Sequence, residues 1–389
     1  MAELFSQKNK IINKPGGTLF IGNLTYDTKL SGQAYSEAAN QVQMEILQGL
    51  RLDDAKATVQ SAAMVPMPAF PNGKLISKKK SEDNVTYLPF INLPIIKHFS
   101  YALGLLLFIF TQKPKKIFVY NSYFFQNITL CLYKSLFPSS KIAIFVQDVL
   151  PAGKGMRSLQ TMLDRHSLKF LSKFDLILPI SRSIIDDFNI CTPSILIQGG
   201  LTEKIIDLFG DDTTSTEKQR RAVFAGALEE YNGIGILLKQ WVIQNPDVEL
   251  HIFGKGTLAE LCKKYSEENS HIIYHGFSSH ADIQKFIAQS TYIFVLRYDI
   301  GIETKYFFPS KFWESMASDA VVLCNEFSNF PDDLRQYCML LNDDLSNLKT
   351  SLASVPHSAA IAAIKKRQQH MLQNHTWKSH MKKIIQYFK

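Results

Sequence analysis

Short apolar runs alternate with helix-length runs along almost the whole chain, and the alternation restarts once after a polar interruption. A strand apolar over its full length must be covered on both faces. Such a pattern therefore specifies parallel sheet assembled from βαβ units. Thr18–Gly22, Lys116–Tyr120, Lys141–Val146 and Leu176–Ile180 are the expected strands of a first sheet, with helical runs over Ala34–Leu50, Tyr101–Phe110 and Leu159–Phe174. Around residues 199–220 the pattern breaks at Gly199-Gly200 and a turn-rich stretch from Gly210 to Lys218. It then resumes with expected strands at Ala222–Ala225, Val248–Phe253, Ile272–Tyr274, Tyr292–Leu296 and Val321–Leu323, and with helices at Ile234–Asn245 and Leu258–Glu268. A chain of 389 residues exceeds one ordinary core. The expectation is an α/β protein with a domain over 1–199, a second over 200–370 and a basic C-terminal helix over 371–389. Ligands of such sheets bind beyond the carboxyl ends of the strands, and with two such domains the cleft between them is the natural active site.

Hydrophobic residues at 46% and charged residues at 20% exclude a disordered chain. The five cysteines are scattered and form no CxxC pair, so neither a disulfide framework nor a zinc site is expected. The N-terminal Met-Ala-Glu-Leu-Phe-Ser lacks the basic-then-apolar layout of a secretion signal, and a cytoplasmic location is expected. The longest apolar stretch, Tyr101–Phe110, is short of the roughly 18 to 20 residues a spanning helix needs and reads as a buried helix packed on a sheet. The net charge of +8 is unevenly placed: +9 over residues 1–199, −8 over 200–364 and +7 over 365–389. The basic half and tail suit an anionic membrane surface, or simply a solvated basic face. No nucleic-acid-binding module accompanies the charge, so no nucleic-acid partner is expected.

Four segments could carry chemistry. Glu314 lies inside the apolar helical segment Phe308–Ala317, where a carboxylate is unfavourable unless paired or hydrogen-bonded. Lys311, three residues earlier, shares its helix face. Pro309 suits a first helical turn, and Ser310 sits beside the N-terminal amides. A helix N-terminus with a lysine is an anion site, and a glutamate one turn in can accept hydrogen bonds from two vicinal hydroxyls. The competing reading is an intrahelical ion pair on a solvated surface. Gly254-Lys255-Gly256 follows a strand and opens a helix, as a dinucleotide-binding turn does; the next strand, however, ends in His275-Gly276 rather than an acid. That leaves a nucleotide-contacting turn or a plain tight turn. Gly32, after the first strand, could admit a phosphate to backbone amides or mark an ordinary loop. Asp148 closes the strand that ends at Gln147, where it could orient a sugar hydroxyl, accept a proton or cap the next turn.

In series, these segments resemble the family-4 glycosyltransferases, retaining enzymes of the GT-B fold with two Rossmann-like domains facing across a cleft. The resemblance covers roughly residues 18–385 and rests on Val223–Gly226, Leu250–Gly256, His275–Phe277 and Pro309–Glu314, with Val146–Pro151, Leu178–Ser181, Ile197–Gly200 and Thr376-Trp377 supporting it. The resemblance implies that Glu314 holds the donor ribose and that Gly254, Lys255 and Gly256 lie near the nucleobase. It places Gly226 at the donor phosphates and Gly32 at the N-terminal glycine loop. Three positions depart from the family pattern. Tyr306 stands eight residues before Glu314, where the family has the Glu that contacts the donor sugar. Glu229-Glu230 follows Gly226, where basic residues often meet the diphosphate, so Lys311, Arg297 or Lys305 is expected to meet that charge. Gln147 stands where a His is frequent, with Asp148 beside it as the candidate catalytic residue.

The resemblance thus implies a hexosyltransferase that moves a sugar from a nucleotide-sugar, UDP-linked by expectation, to a glycan or lipid-linked acceptor in surface-polysaccharide assembly. It would act without a metal, in the cytoplasm or peripherally on the inner face of the membrane. The rival expectations are a sugar-nucleotide epimerase of the same fold and a non-catalytic subunit that scaffolds a partner transferase.

Overall fold

The computed structural model describes residues 17–26, 36–53, 59–82, 85–147, 149, 156–209, 218–354 and 357–389; of the expected site residues, Gly32 and Asp148 lie outside them. The strands in chain order are β1 (Thr18–Gly22), β2 (Val59–Ala63), β3 (Ile76–Ser77), β4 (Lys80–Glu82), β5 (Val85–Tyr87), β6 (Phe90–Ile91), β7 (Lys116–Tyr120), β8 (Lys141–Val146), β9 (Leu176–Pro179), β10 (Gln219–Ala225), β11 (Glu249–Phe253), β12 (Ile272–Gly276), β13 (Ser290–Val295), β14 (Val321–Asn325) and β15 (Met339–Leu341). Among the described residues they form one sheet in the order β4-β5-β2-β1-β7-β8-β9, another in the order β12-β11-β10-β13-β14-β15, and a small β3-β6 pair. β1-β2, β1-β7, β2-β5, β7-β8, β10-β11, β10-β13, β11-β12, β13-β14 and β14-β15 pair in parallel, while β4-β5 and β3-β6 are antiparallel. The central strands are buried on both faces, which is what their unbroken apolar sequences demand.

The first helices are α1 (Glu37–Asp53), α2 (Ile96–Gln112), α3 (Phe124–Leu136) and α4 (Met156–Ser167). They are followed by α5 (Arg182–Asp187), α6 (Glu203–Phe209), α7 (Ile234–Gln244), α8 (Ala259–Glu268), α9 (His280–Ala288), α10 (Ser310–Ala317), α11 (Leu348–Ala353), α12 (His357–Asn374) and α13 (Trp377–Tyr387). The second sheet has its own core, in which Leu237, Leu238 and Trp241 of α7 pack on Ala222, Phe224, Leu250 and Phe294 of the strands.

Two compact units result. The first comprises the described residues up to Leu178, with Phe188–Ile195 and Ile384–Lys389; the second comprises Pro179–Asp187 and Leu196–Lys383. The division expected at 199/200 therefore falls inside the second unit. The reason is local bonding: Gln198 Nε2 donates to the Asn329 carbonyl at 2.5 Å, and Trp313 Nε1 donates to the Gln198 carbonyl at 3.1 Å. The single terminal helix expected over 371–389 is instead the end of α12 followed by α13, and only Ile384–Lys389 belongs to the first unit.

The apolar run Tyr101–Phe110 is helical, as expected, but it is not buried all round. In α2 Tyr101, Ala102, Leu105 and Ile109 face the core, while Leu103 and Leu107 are exposed. Among the described residues no helix is long and apolar enough to cross a membrane.

Candidate active site

The glycine segments lie at the carboxyl ends of adjacent strands. Gly226 follows β10 and donates its N–H to the Phe253 carbonyl at 3.0 Å; Gly254 follows β11 and donates to the Gly276 carbonyl at 2.8 Å. Gly254 has φ +148°, and a Cβ there would meet the Gly226 carbonyl oxygen at 1.9 Å. A Cβ on Gly256 would meet the Leu228 carbonyl oxygen at 2.5 Å. Both glycines let two loops touch backbone to backbone. Gly226 differs: among the described residues a Cβ there would have nothing within 4 Å, so its outer side is open. Lys255 is exposed beside the exposed Phe277, with Nζ 4.9 Å from the ring centroid.

The Glu314 group joins α9 to α10. Ser279 caps α9 by accepting the Asp282 N–H, which sets His280 and Gln284 one turn apart on one face. On α10, Lys311 and Glu314 are likewise one turn apart. Three donors converge on one oxygen of Glu314: Lys311 Nζ at 2.9 Å, His280 Nε2 at 3.2 Å and Gln284 Nε2 at 3.2 Å from Oε2. Among the described residues no hydrogen bond reaches Oε1. Burial pushes the carboxyl pKa up, but the His280 hydrogen bond and the Lys311 charge outweigh it and hold the group below its usual range. The side chain keeps 19% exposure, so a ligand can reach it. Glu314 is thus an ionised carboxylate with one oxygen pinned and one open. His280 and Gln284 were not singled out from the sequence. Their only signal was the i, i+4 spacing behind a Ser cap.

Arg297 follows β13 and turns toward the loop after Gly226. Its Nη1 donates to Asn232 Oδ1 at 2.8 Å, and its guanidinium lies 5.2 Å from the Tyr231 ring centroid. Asn232 in turn donates to the Ala227 carbonyl at 2.8 Å. Among the described residues Arg297 makes no ion pair, and its Nε is buried without a hydrogen-bond partner. Burial lowers its pKa, leaving it a partly desolvated cation beside an open glycine turn.

Lys305 and Tyr306 are occupied differently. Lys305 Nζ lies 2.5 Å, and Tyr306 Oη 2.8 Å, from Asp187 Oδ2 at the end of α5. The Lys305 charge is therefore matched by Asp187 rather than standing free for a phosphate. The loop that carries both is braced by Asn329, whose Nδ2 donates to the Lys305 carbonyl at 2.6 Å and the Phe307 carbonyl at 3.2 Å. Ser310 is the exposed first residue of α10, whose N-cap, Pro309, supplies no side-chain acceptor.

In the first unit a pocket of about 100 Å³ lies beyond β7 and β8, lined by Asn121, Ser122, Tyr123, Val149, Thr161, Asp164, Arg165 and Leu168. Asn121, at φ +64°, accepts the Gln147 N–H on Oδ1 at 2.9 Å and so ties the two strand ends together. Asp164 accepts the Phe124 N–H at 2.9 Å, and burial raises its pKa despite the hydrogen bonds it receives. This pocket adjoins position 147 in sequence; Asp148 itself is outside the described residues.

Residues 235–386 match the family model described as "Glycosyl transferase-like". No curated protein matches the chain. Among solved structures, α,α-trehalose 6-phosphate synthase from Burkholderia multivorans superposes with a TM-score of 0.62 at 12% identity, over 95% of this chain and 97% of that one. The α,α-trehalose-phosphate synthase (UDP-forming) from Burkholderia xenovorans, in complex with glucose-6-phosphate, gives 0.63 at 11% identity, over 96% and 100%. Anabaena HepE in complex with UDP gives 0.61 at 12% identity, over 96% and 99%. At these identities the likeness establishes the fold. The segment that carries Arg297, Lys311 and Glu314 thus resembles a glycosyltransferase domain, in a chain of GT-B fold.

Proposed function

We propose that the chain is a retaining, family-4-type glycosyltransferase that moves a sugar from a UDP-sugar to a hydroxyl of a glycan or lipid-linked acceptor in surface-polysaccharide assembly. The observation that carries the reading is the Glu314 group, an ionised carboxylate with one open oxygen inside the segment that matches a glycosyltransferase model. Oε1 takes one ribose hydroxyl. A second hydroxyl would have to displace one of the three donors on Oε2.

The open turn at Gly226 receives the diphosphate, with Arg297, which makes no ion pair among the described residues, bonded through Asn232 to the loop that follows it. The first amides of α10 add positive potential, while Lys311 is engaged by Glu314. In a retaining transfer the bond from the sugar to the diphosphate breaks, and the acceptor oxygen bonds to the same face. The acceptor proton passes to the departing phosphate oxygen. The protein's main task is then to stabilise the leaving charge, and the basic groups are proposed to do so without a metal. Tyr306 replaces the family's sugar-contacting Glu. Its hydroxyl binds Asp187, so we assign Asp187 as the carboxylate at that place. The first-unit pocket with Asp164 is the proposed acceptor site, with Asp148 next to it in sequence as the candidate catalytic residue. The UDP assignment is supported by HepE, whose structure holds UDP. A cytoplasmic location, peripheral on the membrane, fits a lipid-linked acceptor.

Thermal-shift measurement with UDP, GDP and CMP tests this reading. UDP alone is expected to stabilise the chain, by about 2.7 kcal/mol at a hundredfold excess over Kd. Glu314→Ala should remove that shift, and wild-type turnover in Glu314→Ala would sink the assignment. Stabilisation by no nucleotide would indicate a non-catalytic subunit. Conversion of the donor without acceptor would indicate an epimerase. Transfer is expected to persist in a chelator.

A further inference from the structure

α2 has two apolar faces, and among the described residues only one of them is covered. Tyr101, Ala102, Leu105 and Ile109 pack inward, whereas Ile96, Phe99, Leu103 and Leu107 are exposed, Leu107 by 70%. At 100° per residue those four outward side chains fall within an arc of about 80°. α3 repeats the arrangement at i, i+4 and i+8 with Ile128, Leu132 and Leu136, all exposed. The two helices lie side by side: Phe99 meets Phe125 edge to face at 5.5 Å, and Thr129 Oγ1 donates to the Ala102 carbonyl at 3.4 Å. The surface continues onto the β3-β6 pair, where exposed Ile76 and Ile91 are directly opposite and the Ile91 N–H is bonded to Ser100 Oγ of α2 at 2.9 Å.

Charge sets what such a surface meets. Between Asp83 and Asp148 the chain has no Asp or Glu, but it has Lys97, Lys113, Lys115 and Lys116, besides Lys134 and Lys141, which are matched by Asp175. Exposed Lys74, Lys78 and Lys79 border the β3-β6 pair, and exposed Lys113 and Lys115 follow the other end of α2. A continuous exposed apolar surface bordered by exposed lysines suits an occupant that is apolar in depth and anionic at its boundary. We propose that the outer face of α2, α3 and the β3-β6 pair docks onto an anionic lipid bilayer, with the aliphatic ridge among the acyl chains and the lysines at the headgroups. The proposal stands independently of the donor-site reading, because none of these residues belongs to that site.

Sedimentation of the full chain with vesicles tests it. The chain is expected to bind vesicles of phosphatidylglycerol and phosphatidylcholine in equal parts, and to bind phosphatidylcholine alone much less. Leu103→Glu with Leu107→Glu should lower the bound fraction about tenfold or more by placing two charges among the acyl chains. Lys74→Glu, Lys78→Glu and Lys79→Glu together should lower binding and flatten its salt dependence, since headgroup attraction acts over about 10 Å at 0.1 M salt. Both variants should keep the wild-type melting temperature, because the altered side chains are exposed. Wild-type sedimentation of the leucine variant would overturn the proposal, as would equal binding to both vesicle types. So would a dimer in light scattering that the leucine substitutions convert to a monomer, which would give the face to a second copy of the chain.

Discussion

Thr257 donates both its backbone N–H, at 3.1 Å, and its hydroxyl, at 2.6 Å, to the Glu229 carboxylate. Glu229-Glu230 stands where a transferase of this type often places basic residues, and a pair of free acids there would repel a diphosphate. Glu229 is instead engaged in joining the Gly226 loop to the turn that opens α8. Glu229→Ala should therefore behave as the loss of a helix-start acceptor, at about 1 kcal/mol. For a unit of this size that is a fall of about 2 to 4 °C in Tm. If Glu229 repelled the donor instead, the same substitution would tighten UDP binding, and calorimetric titration separates the two outcomes.

Gly226 and Gly254 are both expected to lie at the donor, but the structure gives them different demands. A methyl group on Gly254 would sit 1.9 Å from the Gly226 carbonyl oxygen and on a backbone at φ +148°. Gly254→Ala should then cost several kcal/mol and drive the two loops apart. Gly226→Ala meets nothing within 4 Å among the described residues. It should fold with a near-wild-type Tm while weakening UDP, because the methyl occupies the space assigned to phosphate. A Gly226→Ala protein with unchanged UDP affinity would remove this turn from the site.

The strands were largely legible because unbroken apolar runs have one solution, burial on both faces; β1, β7 and β8 coincide with the runs read from the sequence. β2 was not legible: Val59-Gln-Ser-Ala-Ala63 is short and built from small or polar side chains, and its burial comes from strand neighbours rather than its own hydrophobicity. Glu314 and Lys311 were legible as a pair because their spacing lies within one helix. His280 and Gln284 lie 34 and 30 residues away from Glu314, and no local pattern encodes a contact that only tertiary packing creates. The basic tail read differently from its composition. Arg367, one of its seven cations, is buried within the second unit rather than forming part of a solvated charge patch.

The pH dependence of donor binding follows from the Glu314 group. Burial raises its pKa, while the His280 hydrogen bond and the Lys311 charge lower it further than burial raises it. With the folded pKa depressed below the ordinary 4.5, the ionised form is present at neutral pH and is lost only as pH falls through the depressed value. UDP affinity should accordingly persist below the usual carboxylate range. Lys311→Met removes one of the two positive influences and should move the acid limb upward in pH. A limb that does not move would show that Glu314 does not control binding.

Arg367 clamps the end of the helix that carries that carboxylate. It reaches from α12 to the end of α10, where Nη1 donates to the Ala320 carbonyl at 3.0 Å and Nη2 to the Ser318 carbonyl. Its neighbour Gln368 donates to the Ala317 carbonyl at 3.0 Å. A buried guanidinium is unfavourable by itself, and burial pulls its pKa down to about 10. It is offset here by the Ser318 and Ala320 carbonyls at and just beyond the C-terminal end of α10, where the helix carries partial negative charge; Gln368 Nε2 also reaches the Ser318 carbonyl at 3.3 Å. Arg367→Ala removes the guanidinium donors and leaves Ser318 with Gln368 alone, a loss on the order of 3 kcal/mol. Arg367→Lys should recover only part of it, because a single ammonium cannot span both carbonyls. Since α10 carries Lys311 and Glu314, a loosened helix end should also raise KM for the donor more than it lowers kcat. Unfolding by urea and steady-state kinetics on the same two variants would separate these effects. A stability loss with unchanged KM would mean that α10 holds its place without the clamp.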